Sequence, residues 1–273
     1  MDPLDASAIA SLIRVPELEV RVVERCSSTN ALLLADVKER TQCAAGHPLL
    51  LAAEEQSAGR GQRGRRWRSA RGAGATFSIL RCMRCAPRLL SGLSLAVGVA
   101  AARALRALGA REVALKWPND LLVHDAKLGG VLIETRLQAA KIVAVVGIGI
   151  NCRPVGELAT RLGRKLVALD ELVRPAAARN AVIAAVAREV LAALESFETA
   201  GLAAFADDWR ALHAHEGRRL RVRLADGRTV SGIAAGIAPS GALRLRTRGG
   251  AREPASGQIV EVASGRILSA SAT

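Results

Sequence analysis

The sequence predicts an α+β protein, a body of mixed strands and helices followed by a small β-barrel. Three observations lead there. Strand-like runs are interspersed with two long amphipathic helical patterns up to about residue 213, and beyond Glu216 the texture changes to short strands separated by glycine-containing turns. Half of the 273 residues are apolar, enough for one sizeable core and a small appended domain. We therefore expect one domain over residues 1–213 and a second over residues 214–273.

Taken in order, residues 19–24 alternate as a half-buried strand, and Ser27-Ser28-Thr29-Asn30 leads into a helical run at 31–40. Residues 49–53 read as a buried strand. The glycine- and arginine-rich residues 59–74 show no periodicity and predict a loop, and 76–82 is again strand-like. A helix opens near Ser91, presents Leu93, Val97, Ala100, Ala104 and Leu108 on one face, and stops at Gly109. Strands follow at 112–115, 121–123, 130–134 and 142–150, the last two forming an antiparallel pair connected through 136–141. A second long helix starts near Asn180, buries Ile183, Val186, Val190, Leu194 and Phe197, and ends at Gly201. Strands at 219–224, 229–234, 242–246 and 258–262, with turns at Asp226-Gly227, Ser240-Gly241 and Gly249-Gly250, complete the small barrel.

Composition narrows the function classes. The 39 basic and 25 acidic residues leave a net charge of +14, which favours anionic partners without choosing among nucleotide phosphates, an acidic protein and nucleic acid. Three Phe and no Tyr argue against stacking on single-stranded nucleic acid. No apolar run approaches the roughly 18 residues of a membrane span, and the acidic start Met1-Asp2-Pro3-Leu4-Asp5 is unlike a signal peptide, so a cytoplasmic protein is expected. Five cysteines, Cys26, Cys43, Cys82, Cys85 and Cys152, form an odd set for which reduced thiols are the expectation. The Cys82 to Cys85 spacing suits zinc, but no second pair accompanies it.

Several short motifs carry chemistry. Gly59-Arg60-Gly61-Gln62-Arg63-Gly64-Arg65-Arg66-Trp67 formally fits a dinucleotide fingerprint, yet no helix follows it, which rules that reading out. Close glycines let backbone amides face a ligand, and Arg60, Arg63, Arg65 and Arg66 set cations beside them, which suits a phosphate or an acyl phosphate as well as a solvated basic loop. Lys116-Trp117-Pro118-Asn119-Asp120 sits between two strands, compatible with turn chemistry and with a site at a strand end. Lys127-Leu128-Gly129-Gly130 places an ammonium at the mouth of the apolar strand 131–133. Gly147-Ile148-Gly149-Ile150-Asn151 admits a close backbone or ring, or forms a bulge. Ser28-Thr29-Asn30 reads equally as a helix cap.

Together and in this order, these motifs resemble those of the biotin protein ligase family, from about Glu19 to Asn151 and more weakly to about Val262. The resemblance implies a catalytic domain akin to class II aminoacyl-tRNA synthetases, a mixed sheet flanked by helices, followed by an SH3-like barrel. It implies ATP-dependent formation of biotinyl-5'-AMP and transfer of biotin to a lysine of a biotin carboxyl carrier protein, with Mg²⁺ and no permanently bound cofactor. By the same carry-over Ser28, Thr29, Asn30, Gln56, Arg60, Gly61, Gln62, Lys127 and Gly130 surround biotin, and Trp67, Asn119, Asp120 and Asn151 lie near ATP. Lys127, Arg60 and Lys116 are the expected catalytic cations, Asp120 the candidate carboxylate for the metal, and Val131, Ile133 and Ile148 the apolar walls. Gln62 departs from the best-known form of the motif, which has arginine there, so firm retention of the adenylate is in question. Only 27 residues precede Ser28, too few for the helix-turn-helix module of biotin-regulated repressors, so sequence-specific DNA binding is not expected. Monomer or weak homodimer is the expected state.

Overall fold

The computed structural model describes residues 2–39, 47–68, 70–85, 87–138, 141–154 and 156–262. A seven-stranded sheet is built from β1 (Glu19–Cys26), β2 (Leu49–Gln56), β3 (Gly74–Met83), β4 (Val113–Lys116), β5 (Asp120–Val123), β6 (Ala126–Gln138) and β7 (Lys141–Asn151), in the order β1-β2-β3-β7-β6-β5-β4. β1 and β2 run parallel and every other neighbouring pair antiparallel, including the expected pairing of β6 with β7. Five further strands, β8 (Arg219–Arg223), β9 (Thr229–Ile237), β10 (Leu243–Thr247), β11 (Gly250–Arg252) and β12 (Gln258–Val262), make a separate antiparallel sheet in the order β11-β10-β9-β8-β12. The α+β class is thus borne out.

Strand parity divides the core in two. Leu50, Ala52, Phe77, Ile79, Val146 and Ile148 face the main core, under helices α1 (Ala6–Ile13), α3 (Leu93–Ala107) and α5 (Arg179–Ala200). On the opposite face Leu49, Leu51, Leu80, Val143 and Val145 pack with Leu33 of α2 (Thr29–Glu39). Each such buried Val, Leu, Ile or Phe side chain contributes about 1.5–3 kcal/mol. α5 begins at Arg179, and its expected stripe is buried throughout. Asn180 does not cap it; its side chain instead ties down Pro3 and Asp5. Helix α1, which alternation alone does not announce, is capped by Asp5 and buries Ile9 and Ile13. Beneath it Arg179, 1 % exposed, pairs with Glu54. Burial alone would raise the Glu54 carboxyl, but the guanidinium and the Leu4 amide hold it below the usual carboxylate range.

The short helix α4 (Gly156–Leu162) follows β7, and the two sheets meet at α6 (Ala206–Leu212) and the turn after it. His213 stacks on Trp209 at 4.3 Å between centroids and pairs through Nδ1 with Glu216 at 3.2 Å. Burial lowers its pKa against the pull of Glu216, and burial with the neighbouring His213, Lys116 and Arg218 pushes His215 down to about 3. Trp117 is buried at the same junction and donates its indole N–H to the Gly241 carbonyl at 3.1 Å. Cys26, Cys85 and Cys152 are free thiols, whereas Cys82 is disulfide-bonded, which corrects the expectation of reduced thiols at that position; Cys43 lies outside the described residues. Among the described residues no helix is long and apolar enough to cross a membrane.

Candidate active site

The cleft forms where one sheet face changes character along its strands. Register places Leu80 beside Val145 and Glu134, then Ser78 beside Gly147 and Leu132, then Thr76 beside Gly149 and Gly130. Apolar packing against α2 thus gives way, two residues at a time, to small and polar side chains. The glycines are required there. A Cβ on Gly147 would lie 2.3 Å from Asn30 Oδ1, and one on Gly149 would lie 2.4 Å from the Trp67 ring. Both side chains therefore rest directly on the β7 backbone.

On this floor the polar groups form one connected chain. Ser28, Thr29 and Asn30 are buried at the start of α2. The Thr29 amide donates to Gln56 Oε1 at 2.7 Å, the Thr29 and Ser78 hydroxyls lie 2.6 Å apart, and Ser78 donates to Asn30 Oδ1 at 2.6 Å. Asn30 Nδ2 in turn donates to Glu134 Oε2 at 2.9 Å and the Leu132 carbonyl at 3.3 Å. The donors and acceptors of this chain are thus matched and the network fixes its rotamers, whereas the buried Trp67 indole N–H has no protein partner.

Cations gather above it. Lys127, in β6, forms an ion pair with Asp120 while its Nζ lies 5.9 Å from the centre of the Trp67 ring. Lys116 and Asp120 are register partners across the β4–β5 turn, and burial lowers the Lys116 pKa although Asp120 opposes the shift. The arginine loop is not bare: its ends bridge at Arg60 and Arg66, residues 62–64 form a short 3-10 turn, and Arg63 adopts φ 58°. Arg60 donates to Glu134 at 2.8 Å, while Arg63 reaches the Gly257 carbonyl and Arg65 the Gln258 side chain, so the second sheet helps to hold the loop.

One cleft of about 970 Å³ counted to its open mouth lies here, and Ser28, Thr29, Asn30, Gln56, Arg60, Gly61, Gln62, Trp67, Lys116, Asn119, Asp120, Lys127 and Gly130 all border it. Asn151 does not. Its amide donates to the Lys127 and Val167 carbonyls at 3.2 Å, bracing the strand that carries Lys127. Asn119 donates to the Val131 carbonyl at 2.6 Å and closes the turn. Of the expected apolar walls, Val131 and Ile148 border the cleft but belong by parity to the main core, Ile133 does not border it, and Leu132 occupies the floor instead. Sequence reasoning also missed Ser78, Glu134, Gly257 and Gln258. A hydroxyl at 78 inside an apolar strand run was the one available signal. Gln56, Arg66 and Trp67 also border a second cleft, walled on its far side by Pro154, Gly156 and Leu158. Among the described residues no cluster of three or more His, Cys, Asp or Glu side chains is arranged for a metal; Asp120 stands as a single carboxylate already engaged by Lys127.

Comparison with known proteins bears on this geometry. Residues 22–151 match the model of the Biotin/lipoate A/B protein ligase family, and residues 215–268 match the Biotin protein ligase C terminal domain. The chain is 37 % identical over 236 residues to the bifunctional ligase/repressor BirA of Escherichia coli, covering 84 % of this chain and 70 % of that protein. It is 33 % identical over 251 residues to the biotin–(acetyl-CoA-carboxylase) ligase of Mycobacterium tuberculosis, covering 89 % of each. Among solved structures, the biotin protein ligase from Aquifex aeolicus in complex with biotin and ATP superposes with a TM-score of 0.73 at 27 % identity, over 88 % of this chain and 96 % of that one.

Proposed function

From a chain that belongs to the biotin protein ligase family, we propose that this cleft joins biotin to ATP as biotinyl-5'-AMP and passes the biotinyl group to a lysine of an acceptor protein. In the first step a biotin carboxylate oxygen attacks the α-phosphorus and pyrophosphate leaves. In the second, the neutral lysine amine attacks the acyl carbon, the bond to AMP breaks and the amine loses a proton. The observation that carries the reading is the abutment, in one cleft, of the uncharged, hydrogen-bonded side chains Ser28, Thr29, Asn30 and Gln56 with a set of cations. The floor suits a neutral polar ring such as the ureido group, and the cations suit charge that gathers on phosphoryl and acyl oxygens.

Residue roles follow position. Ser28, Thr29, Asn30 and Gln56 bind the biotin rings, with Arg60, Gly61, Gln62 and Gly130 closing around them. Lys127 lies between that end and the Trp67 ring, where it can neutralise the reacting carboxyl and phosphoryl oxygens. Arg60 and Lys116 assist it. Trp67, Asn119 and Asp120 belong to the nucleotide side, and Asn151 acts through the backbone of Lys127. Mg²⁺ would enter with the nucleotide, taking phosphate oxygens and at most the Asp120 carboxylate from the described residues, a pattern usual for this ion. Residues 1–213 would be the catalytic domain and 214–273 the appended one; a biotin carboxyl carrier protein would be the acceptor, and the cytoplasm the compartment.

The test is to incubate the protein with ATP, Mg²⁺ and either biotin or lipoate and to measure acyl-dependent pyrophosphate release. Release with biotin and not with lipoate is expected. Release with lipoate alone would transfer the site to a different acyl group.

A further inference from the structure

Glu134 stands on β6 in the row shared with Val145 and Leu80, where strand and core packing call for an apolar residue. Instead a single carboxylate oxygen, Oε2, accepts from Arg60 Nη2 at 2.8 Å and from Asn30 Nδ2 at 2.9 Å. Its two donors come from the start of α2 and from the arginine loop, segments that touch biotin in the reading above. Asn30 cannot turn away, because its Oδ1 accepts from Ser78 and its amide lies against Gly147.

We infer that Glu134 is a positioning residue for the activation step, anchoring Arg60 over the biotin end of the cleft and setting the orientation of the Asn30 amide. The inference rests on the biotin ligase reading for its substrate and on geometry alone for the anchoring. A guanidinium carries five N–H donors in a rigid fork. Glu134 engages Nη2, so Nε and Nη1 can meet a substrate carboxylate or phosphoryl oxygen while the anchor holds. Without the anchor, Arg60 lies on a short loop with Arg63, Arg65 and Arg66, whose like charges repel it. Glu134 touches no reacting atom in this scheme; it acts through Arg60 and Asn30.

Glu134→Gln keeps the shape and removes the charge. In biotin-dependent ATP–pyrophosphate exchange we expect KM for biotin to rise roughly two- to fivefold, the scale of a half-exposed ion pair, with KM for ATP nearly unchanged. Combined with Arg60→Gln, the loss should fall short of the product of the two single losses, because both substitutions break the same contact. Equal increases in both KM values, or multiplicative losses, would overturn the assignment. A second arm needs no substrate. In the ligand-free protein the Gly61 and Trp67 amides bond to the Arg65 and Gly59 carbonyls, and their hydrogen-exchange protection should fall in Glu134→Gln while the Thr29 amide keeps its own. Unchanged protection would sink the anchoring. If the wild type shows no biotin-dependent exchange, the ligase reading fails, and this second arm still decides the anchoring.

Discussion

The floor of the cleft and the loop above it are built from opposite materials. Ser28, Thr29, Asn30 and Ser78 are uncharged, at most 4 % exposed, and held by secondary structure and by hydrogen bonds to neighbouring side chains. The loop of residues 57–68 carries its function on long cations, with Arg60 still 43 % exposed and held at the tip by Glu134. Removing one partner from a buried network costs about 1–3 kcal/mol, whereas exposed ion pairs contribute about 0.2–1 kcal/mol. Selectivity for the ligand's neutral end is therefore expected from the rigid floor, and charge stabilisation with closure from an adaptable cover.

The comparison is broken most severely at the point where both regions meet. Lys127→Ala should fold, since the side chain is partly exposed and fills no core site, yet lose roughly a hundredfold to a thousandfold in rate, the usual loss for one electrostatic donor. Steady-state pyrophosphate exchange together with a thermal melt checks it. A fully active, stable variant would remove Lys127 from the chemistry. Next in size is Gly147→Ala. Its Cβ would sit 2.3 Å from Asn30 Oδ1, so Asn30 must leave its partners; about 1–3 kcal/mol of stability should go, and KM for biotin should rise more than KM for ATP. Equal effects on both substrates would mean that the floor is not specific to the biotin end.

Acid sharpens the contrast, because Ser28, Thr29, Asn30 and Ser78 of the floor carry no titrating group while the junction that carries the second sheet does. His213 and His215 have folded pKa values below the ordinary 6.5, His215 at about 3, so the unfolded chain binds more protons below pH 6.5. Their stabilising contribution is complete above that pH and is lost as pH falls toward the folded values. A melting temperature lower by roughly 5 °C at pH 5 than at pH 7 is expected, and His215→Leu should flatten part of that decline. An identical acid slope in the variant would place its origin elsewhere. The smallest effect belongs to Gln62→Arg. One more half-exposed cation in the cover should slow escape of biotinyl-adenylate by roughly two- to fivefold, measured by trapping released adenylate. Unchanged escape would assign closure to other contacts, with Arg63 and Arg65 on the second sheet the first to test.

What the sequence reveals divides along the same line. Strand and helix positions were legible because alternation and helical spacing report burial directly: β3, β7 and α5 lie within a few residues of their expected bounds. The clustered motifs identified most of the cleft. Ser78 and Glu134 escaped notice because their meaning depends on which residues stand beside them across β7, a register that one strand alone does not reveal. Gly257 and Gln258 escaped because nearly two hundred positions separate them from the arginines they hold, with sequence separations of 194 and 193. Ile133 was assigned to the wall by hydrophobicity, but parity turns it toward the main core.

The division of labour between floor and cover is tested most directly by residue-resolved hydrogen exchange of the free protein, of the protein with biotin and ATP, and of the protein with lipoate and ATP. The amides of Thr29 and of β7 should be protected alike in all three states, and those of residues 59–67 should gain protection with biotin and ATP only. Equal protection of the loop in all states, or a gain with lipoate matching that with biotin, would contradict a preformed biotin floor beneath a ligand-ordered cover.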